Sequence, residues 1–488
     1  MAAPKYKFQM YKNLQANIAN IYAEAKEAAQ DIVPEDLRGK FGLTGGVSGS
    51  PAPLRRDIME VSEKGNREVI PLAKLAEELR AIVKEVYGDE WDAVATDTCE
   101  AAIWVTFDSL FTPPNMGRGD NYRTRYIVPW EKHLHHHGSY GRPFPPRFKD
   151  LFADRGTTPG ELGFYGKRQN NTDTVIVPLE GAKYDCHGIK YHPVPLLTEV
   201  DPEASIEKMA MQAEIHESML SGFTSLGYET PGYGYGAKDE DGVPLLQKYM
   251  ADLAHSYDVP YVIDNAWGVP FIGHDPRKSG ADIMLYSMDK ASQAPTCGLI
   301  IGREDMMIPV RRALGVHGDR WGTTVSYGKA AYVTFDPGKE ALLGLLQALR
   351  VIKDQPKVLT DSVDALEKIV KEELANSALP QKLKEGILVS KSYNSRAVEI
   401  NYEGTWKNGE MGIPIFSIED MYSGTAILQT GLSQIGVVPT VAYDGNIYMS
   451  PDLGTTDEEG QLIEDITRRG VKAQFALLEI VCKYAGLL

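Results

Sequence analysis

The chain has 488 residues, too many for one ordinary domain, so two domains, or one large domain with a satellite, are expected. It is 43% hydrophobic and 24% charged, enough for a sizeable core, and no apolar run approaches the length of a membrane span. A net charge of −16 repels phosphate backbones and argues against nucleic acid as a partner. The polar N-terminus lacks the charged-then-apolar layout of a secretion signal. The four cysteines (Cys99, Cys186, Cys297, Cys482) form no CxxC pair and no zinc pattern. Both features suit a retained, cytoplasmic protein with reduced thiols.

Residues 1–40 read as one or two helices of an N-terminal arm, 1–55, that also holds a glycine-rich stretch at 42–51. A helix is predicted at 71–87, where Leu72, Leu75, Leu79, Ile82, Val83 and Val86 recur at helical spacing. From about Asp92 the pattern becomes strand, turn, helix, repeated. Strands are predicted at 93–96, 126–129, 175–178, 218–222, 260–264, 282–286 and 297–301, with intervening helices at 98–110, 204–213 and 244–257. Such alternation predicts an α/β domain over 56–330, a mostly parallel sheet with helices on both faces. After about Ala331 the character changes. Helices at 339–353 and 359–374, strands at 397–402 and 446–449, and a last helix at 457–484 predict a smaller α+β domain, 331–488.

Two segments carry the chemistry. Y-V-I-D-N-A-W-G, 261–268, puts Asp264 at the carboxyl end of an apolar strand. D-I-M-L-Y-S-M-D-K, 282–290, puts Lys290 26 residues later, just before the apolar run C-G-L-I-I-G at 297–302. Ligands of open α/β sheets sit at the carboxyl ends of strands, so both residues can face one small molecule. The chemistry that needs this pair is that of pyridoxal 5'-phosphate (PLP). The lysine forms a Schiff base, and the carboxylate keeps the pyridine nitrogen protonated so that the ring accepts electrons. Taken singly, Asp264 reads equally as a loop cap and Lys290 as a surface lysine. What sets Lys290 apart is its neighbours Met284, Leu285, Tyr286 and Met288, which suit a nucleophilic amine.

The remaining candidates fall around this pair. Ala266 is small and two positions beyond Asp264, where a flat ring can pack. Ser287, three residues before Lys290, offers a hydroxyl to a cofactor phosphate. V-A-T-D-T-C-E-A-A, 94–102, reads as strand, polar turn and helix, an anion cradle in which Asp97, Thr98 and Cys99 face the phosphate. The alternative is that Thr96 or Asp97 is simply an N-cap. E-K-H-L-H-H-H-G-S, 131–139, holds four histidines in five residues. Their spacing fits no common metal pattern. His133, with His136 or His137 behind it, is the candidate to stack on the cofactor ring. Thr224, in S-G-F-T-S-L-G-Y, can hydrogen-bond near the ring oxygen. The Tyr- and Gly-rich stretch 228–242 reads as a lid or as a long turn.

These pieces, in this order, resemble the fold-type-I PLP enzymes, the aspartate-aminotransferase superfamily. T-D-T-C-E-A-A looks like the family's Ser-Gly-Thr-Glu-Ala phosphate turn, and G-F-T-S-L-G like its Gly-Thr-Thr-x-x-Gly segment. V-I-D-N-A-W-G is close to V-D-A-A-W-G of the PLP amino-acid decarboxylases. S-M-D-K-A-S-Q-A-P-T-C-G-L-I-I-G is similar to the selenocysteine-synthase-like S-G-D-K motif, with Pro295, Gly298 and Gly302 at the same offsets. Two departures stand out. The decarboxylases usually carry His just before the lysine, where this chain has Asp289. The Arg that often binds a substrate carboxylate in the C-terminal domain is replaced by Tyr448 in G-N-I-Y-M-S-P, with Arg396 the candidate substitute.

The resemblance implies a homodimer with sites shared across its interface, R-W-G-T-T at 320–324 being a candidate to reach the partner's phosphate. The expectation is a PLP enzyme acting on a free amino acid or small amine. Lys290 serves as Schiff-base lysine and general acid–base, Asp264 as the pyridinium partner and His133 as the stacking residue. Thr98, Cys99 and Ser287 hold the phosphate, the first two through backbone N–H groups. A lyase (decarboxylation, or β-elimination or replacement) is favoured, because the decarboxylase-like and selenocysteine-synthase-like segments agree on that side. The alternatives are an aminotransferase, a PLP-fold binding protein without catalysis, and a metal-dependent hydrolase built on the histidines.

Overall fold

The structure, a computed structural model, describes residues 4–44, 52–111, 125–130, 173–180, 200–227, 236–314, 335–416, 427–443 and 445–488. The chain divides into two units. One is built from Met1–Arg56 and Pro356–Leu488, the other from Asp57–Ala182 and Glu199–Gln355. Helices α1 (Lys7–Ala16) and α2 (Ile18–Ile32) open the chain in the first unit. The second contains α3 (Arg56–Asn66), α4 (Leu72–Tyr87), β1 (Trp91–Thr96), α5 (Cys99–Phe111), β2 (Arg125–Trp130) and β3 (Asp173–Pro178). It continues through α6 (Pro202–His216), β4 (Leu220–Leu226), α7 (Leu245–Ser256), β5 (Tyr261–Asp264), β6 (Ile283–Ser287), β7 (Gly298–Arg303), α8 (Glu304–Ala313) and α9 (Lys339–Asp354).

Its seven strands lie in the order β1-β7-β6-β5-β4-β2-β3. Strand β7 runs against both neighbours, and β6, β5, β4, β2 and β3 are mutually parallel. The sheet is therefore mostly parallel, as the strand–helix alternation predicts. Strands β1, β4, β5 and β6 are buried at every residue, which is why they read as continuous apolar runs rather than alternating ones. Strand β4 differs from the prediction of 218–222: Glu217–Met219 is a 3-10 turn, and the strand continues to Leu226. Its polar end is accommodated because Ser225 Oγ shares a 2.6 Å hydrogen bond with the Tyr261 hydroxyl of β5. Helix α9, beyond the change of character at Ala331, groups with this sheet. Its Gln347 Nε2 donates to Asp57 Oδ2 at 2.9 Å, and Gly344 admits Pro295 and Ile58.

In the other unit, α10 (Lys357–Asn376), β8 (Leu388–Ser392), β9 (Ala397–Asn401), α11 (Ile427–Ile435), β10 (Val441–Tyr443), β11 (Asn446–Met449) and α12 (Glu464–Ala485) follow. An antiparallel sheet, β10-β11-β9-β8, turns Val398, Ile400, Ile447 and Met449 into a core with Leu366 of α10, Leu432 of α11 and Leu478 of α12. Met10, Leu14, Ile21 and Ala25 of the N-terminal helices share that core. Each such aliphatic side chain contributes about 1.5–3 kcal/mol by leaving water, so the N-terminal segment is a structural member of this unit. Helix α12 starts at Glu464, later than the predicted 457. The Asp457 carboxylate accepts the amides of Glu459 (3.0 Å) and Gln461 (2.8 Å), closing a turn that the helix cannot include.

Candidate active site

Strand register determines which side chains share a face. Leu226 and Leu285 flank Asp264, and Ser287 and Thr96 both pair with Gly298. Side chains alternate along strands, so Thr96, Thr224, Asp264 and Ser287 all lie on one face of the sheet. Helix α5 covers that face. Its Phe111 ring fills the space above Gly222, where any Cβ would lie 2.2 Å from a ring carbon, and Phe107 and Phe111 pack on Tyr126 with centroids 5.3 and 5.1 Å apart. The other end of α5, its N-terminus, meets the carboxyl end of the sheet.

That end is built from a tight turn. Thr98 is the N-cap: its Oγ1 accepts the Ala101 amide at 3.1 Å and donates to Asp97 Oδ1 at 3.2 Å. Thr96 and Asp97 were the N-cap candidates. Thr96 instead donates its hydroxyl to the Thr98 carbonyl at 2.7 Å, and the Asp97 amide donates to the Phe335 carbonyl at 2.7 Å. The turn lies hard against β7. A Cβ on Gly298 would come within 2.4 Å of both Thr96 Oγ1 and the Thr98 carbonyl oxygen, so only glycine admits this approach. Burial pushes the Asp97 carboxyl up from its ordinary value, against the opposing bonds from Thr98.

Three sequence-predicted residues converge here. Asp264 is buried, and its Oδ1 accepts the Ala266 amide at 3.1 Å. Lys290 is half-buried, its Nζ 5.6 Å from the centre of the Trp267 ring. Cys99, the first residue of α5, lies within the electrostatic reach of both. Its thiol is pushed well above its ordinary value, first by burial and then by the Asp264 carboxylate, with Lys290 opposing. A helix N-terminus, a buried carboxylate and an amine therefore surround one spot at the sheet's carboxyl end.

Thr224 is fully buried, and its Oγ1 has no hydrogen-bond partner among the described residues. A hydroxyl so placed costs about 1–3 kcal/mol unless something meets it. Ser292 Oγ, two residues past Lys290, is in the same condition. Ser287 stands differently: its hydroxyl donates to Asp289 Oδ1 at 2.7 Å, both residues being buried. The Ser287 amide donates to the Ala266 carbonyl at 3.2 Å, which ties the Lys290 turn to the segment after Asp264.

Arg396 requires a correction. Far from offering a guanidinium to a substrate carboxylate, it is 1% exposed and ion-paired with Asp452. It also donates to Ser362 Oγ at 3.0 Å and the Leu359 carbonyl at 3.4 Å. His133, His136, His137, the 320–324 segment and residues 228–235 lie outside the described residues. Trp267 and Asp289 were not assigned a role by sequence reasoning. Their adjacency to Asp264 and Lys290 in the chain was the available signal. Among the described residues no helix is long and apolar enough to cross a membrane.

No protein-family model and no curated protein matches the chain. Solved structures do. Pyridoxamine-pyruvate aminotransferase from Mesorhizobium loti aligns over 92% of this chain and 98% of its own, at 13% identity and a TM-score of 0.50. Adenosylmethionine-8-amino-7-oxononanoate aminotransferase from Methanocaldococcus jannaschii aligns over 91% and 89%, at 15% identity and a TM-score of 0.50. The chain shares the fold of these two aminotransferases. In the sheet of this chain, Asp264 ends β5 and Lys290 lies in the turn after β6.

Proposed function

We propose that the chain is a PLP-dependent enzyme acting on an amino acid, and specifically a lyase that breaks a bond at the substrate's α- or β-carbon. The observation that carries the reading is the convergence of Asp264, Lys290 and the N-terminus of α5 around Cys99. The donor set fits the cofactor: an unpartnered buried hydroxyl at Thr224, a backbone turn that Gly298 admits against β7, a buried carboxylate and an amine.

When bound, PLP supplies an electron sink for the charge that develops on the substrate carbon. Asp264 would keep the proton on the pyridine nitrogen, a charge-assisted hydrogen bond at a buried site being a strong anchor. Lys290 would hold the cofactor, and its Nζ would move a proton to and from the substrate carbon. The Thr98 hydroxyl and amide already serve the cap and Asp97, so Cys99 would offer its backbone amide to the phosphate beside Thr98, with Asp97 shaping the turn. Thr224 would donate to the ring oxygen, Ala266 would face the ring and His133 would stack on it. The substrate is a small amino acid or amine. The working form is a homodimer in the cytoplasm, with neither nucleic acid nor membrane as partner and no metal.

The lyase reading draws on the decarboxylase-like and selenocysteine-synthase-like segments, and the sequestration of Arg396 supports it further. An aminotransferase is the alternative, favoured by the names of the two aligned structures. A visible absorbance band that borohydride bleaches in wild type but not in Lys290→Ala, with the label mapped to Lys290, is the expected result. A label absent or elsewhere refutes the reading. An amino-acid screen then separates the reactions: released CO2 or ammonia marks a lyase, nitrogen passed to a 2-oxo acid an aminotransferase.

A further inference from the structure

Asp289 immediately precedes Lys290, and the proposed chemistry does not use it. It is 6% exposed, and its Oδ1 takes the hydrogen bond of Ser287 Oγ at 2.7 Å. A serine hydroxyl has one proton to donate, so the proton given to Asp289 is withheld from any other acceptor. Ser287 is fixed on both sides. Its amide donates to the Ala266 carbonyl at 3.2 Å, and its carbonyl accepts the Lys290 amide at 3.3 Å. Redirecting the hydroxyl therefore means breaking the bond to Asp289. The Asp289 charge is also felt nearby. It helps to raise the thiol of Cys99 at the head of α5 and, after burial, that of Cys297. Asp97 and Glu100 add charge of the same sign around that helix end.

Resting on the PLP reading above, we infer that Asp289 sets the site's selectivity for the cofactor's phosphate. It withholds the Ser287 hydroxyl and places a like charge near the turn that holds the anion. The ring and the covalent link then carry more of the affinity, and unphosphorylated pyridoxal competes better than it would at the same site without the Asp289 charge.

The test measures apparent Kd for PLP and for pyridoxal, by borohydride trapping on Lys290 counted by mass spectrometry. Asp289→Asn removes the charge and keeps an acceptor for Ser287; Asp289→Ala removes both. Asp289→Asn is expected to raise the preference for PLP over pyridoxal by about tenfold or more, the scale of one unit charge in a protein interior. Asp289→Ala raises it further, and adding Ser287→Ala to that variant abolishes the extra gain. An unchanged preference in Asp289→Asn and Asp289→Ala, with both aldehydes still trapped, overturns this inference alone. Trapping of neither aldehyde on wild-type Lys290 overturns the cofactor reading and this inference with it.

Discussion

Replacing Arg396 by Met is the sharpest test of what that arginine is for. Both members of the Arg396–Asp452 pair are 1% exposed, and the guanidinium spends its other donors on Ser362 and Leu359. Burial pulls the Arg396 pKa down and Asp452 pushes it up, with Arg55 close enough to oppose by like charge. Removing one member of a buried pair costs about 3–5 kcal/mol, because the remaining charge stays in a dry site. Arg55 keeps positive charge near Asp452, which puts the expected loss at the low end, about 3 kcal/mol. Arg396 has φ +47°, a left-handed conformation that glycine would relieve, so Met is chosen to leave the backbone cost unchanged. Native-state hydrogen exchange of the β8–β9 hairpin reports the loss locally. Asp452→Asn should cost a similar amount, and the double variant less than the sum of the two. If Arg396→Met shifts the hairpin by under about 0.5 kcal/mol and raises KM for an amino acid more than about tenfold, the guanidinium serves a ligand and the structural argument fails.

Thr224→Val should leave the cofactor-free protein as stable or about 1 kcal/mol more so, by removing an unpartnered buried hydroxyl, and should weaken PLP-induced stabilisation in thermal melts. A cofactor effect unchanged from wild type would detach Thr224 from the ring. Gly298→Ala forces a methyl into the Thr98 backbone and should cost about 1–3 kcal/mol and loosen PLP; normal stability and affinity would contradict the close approach. Lys391 joins β8 to α10 through Asp364 (2.6 Å) and Glu367 (3.0 Å). Its hydrogen bond holds the Asp364 carboxyl below the usual range, and Glu367 is lowered despite partial burial by Lys371 and Lys391. Depressed carboxyls stabilise above their unfolded pKa and lose that contribution as pH falls through the folded one. Lys391→Met should therefore cost about 0.5–1 kcal/mol at pH 7, the partners being partly exposed and screened, and progressively less in urea melts as pH falls through the lowered carboxyl pKa values. A loss that persists in acid would point to packing instead.

Much of the fold was legible because strands buried on both faces leave continuous apolar runs, and seven strand-like segments spaced by helical patterns permit few arrangements. Asp264 and Lys290 were legible for the same reason: each is a polar residue at the edge of an apolar run, where a sheet ends. What the chain's order determined by itself was this inventory of elements and the place of the pair at the carboxyl end of the sheet. Only the tertiary structure decided which charges meet. It placed Arg396, 56 residues before Asp452 in sequence, on that carboxylate, and it gave the Ser287 proton to Asp289. It also took Met10 and Ile21 into the core of the C-terminal unit. Hydrophobic periodicity says that a residue is buried, because burial follows from spacing along one element. Which partner a buried polar group finds depends on how elements far apart in sequence pack together, and no local pattern encodes that.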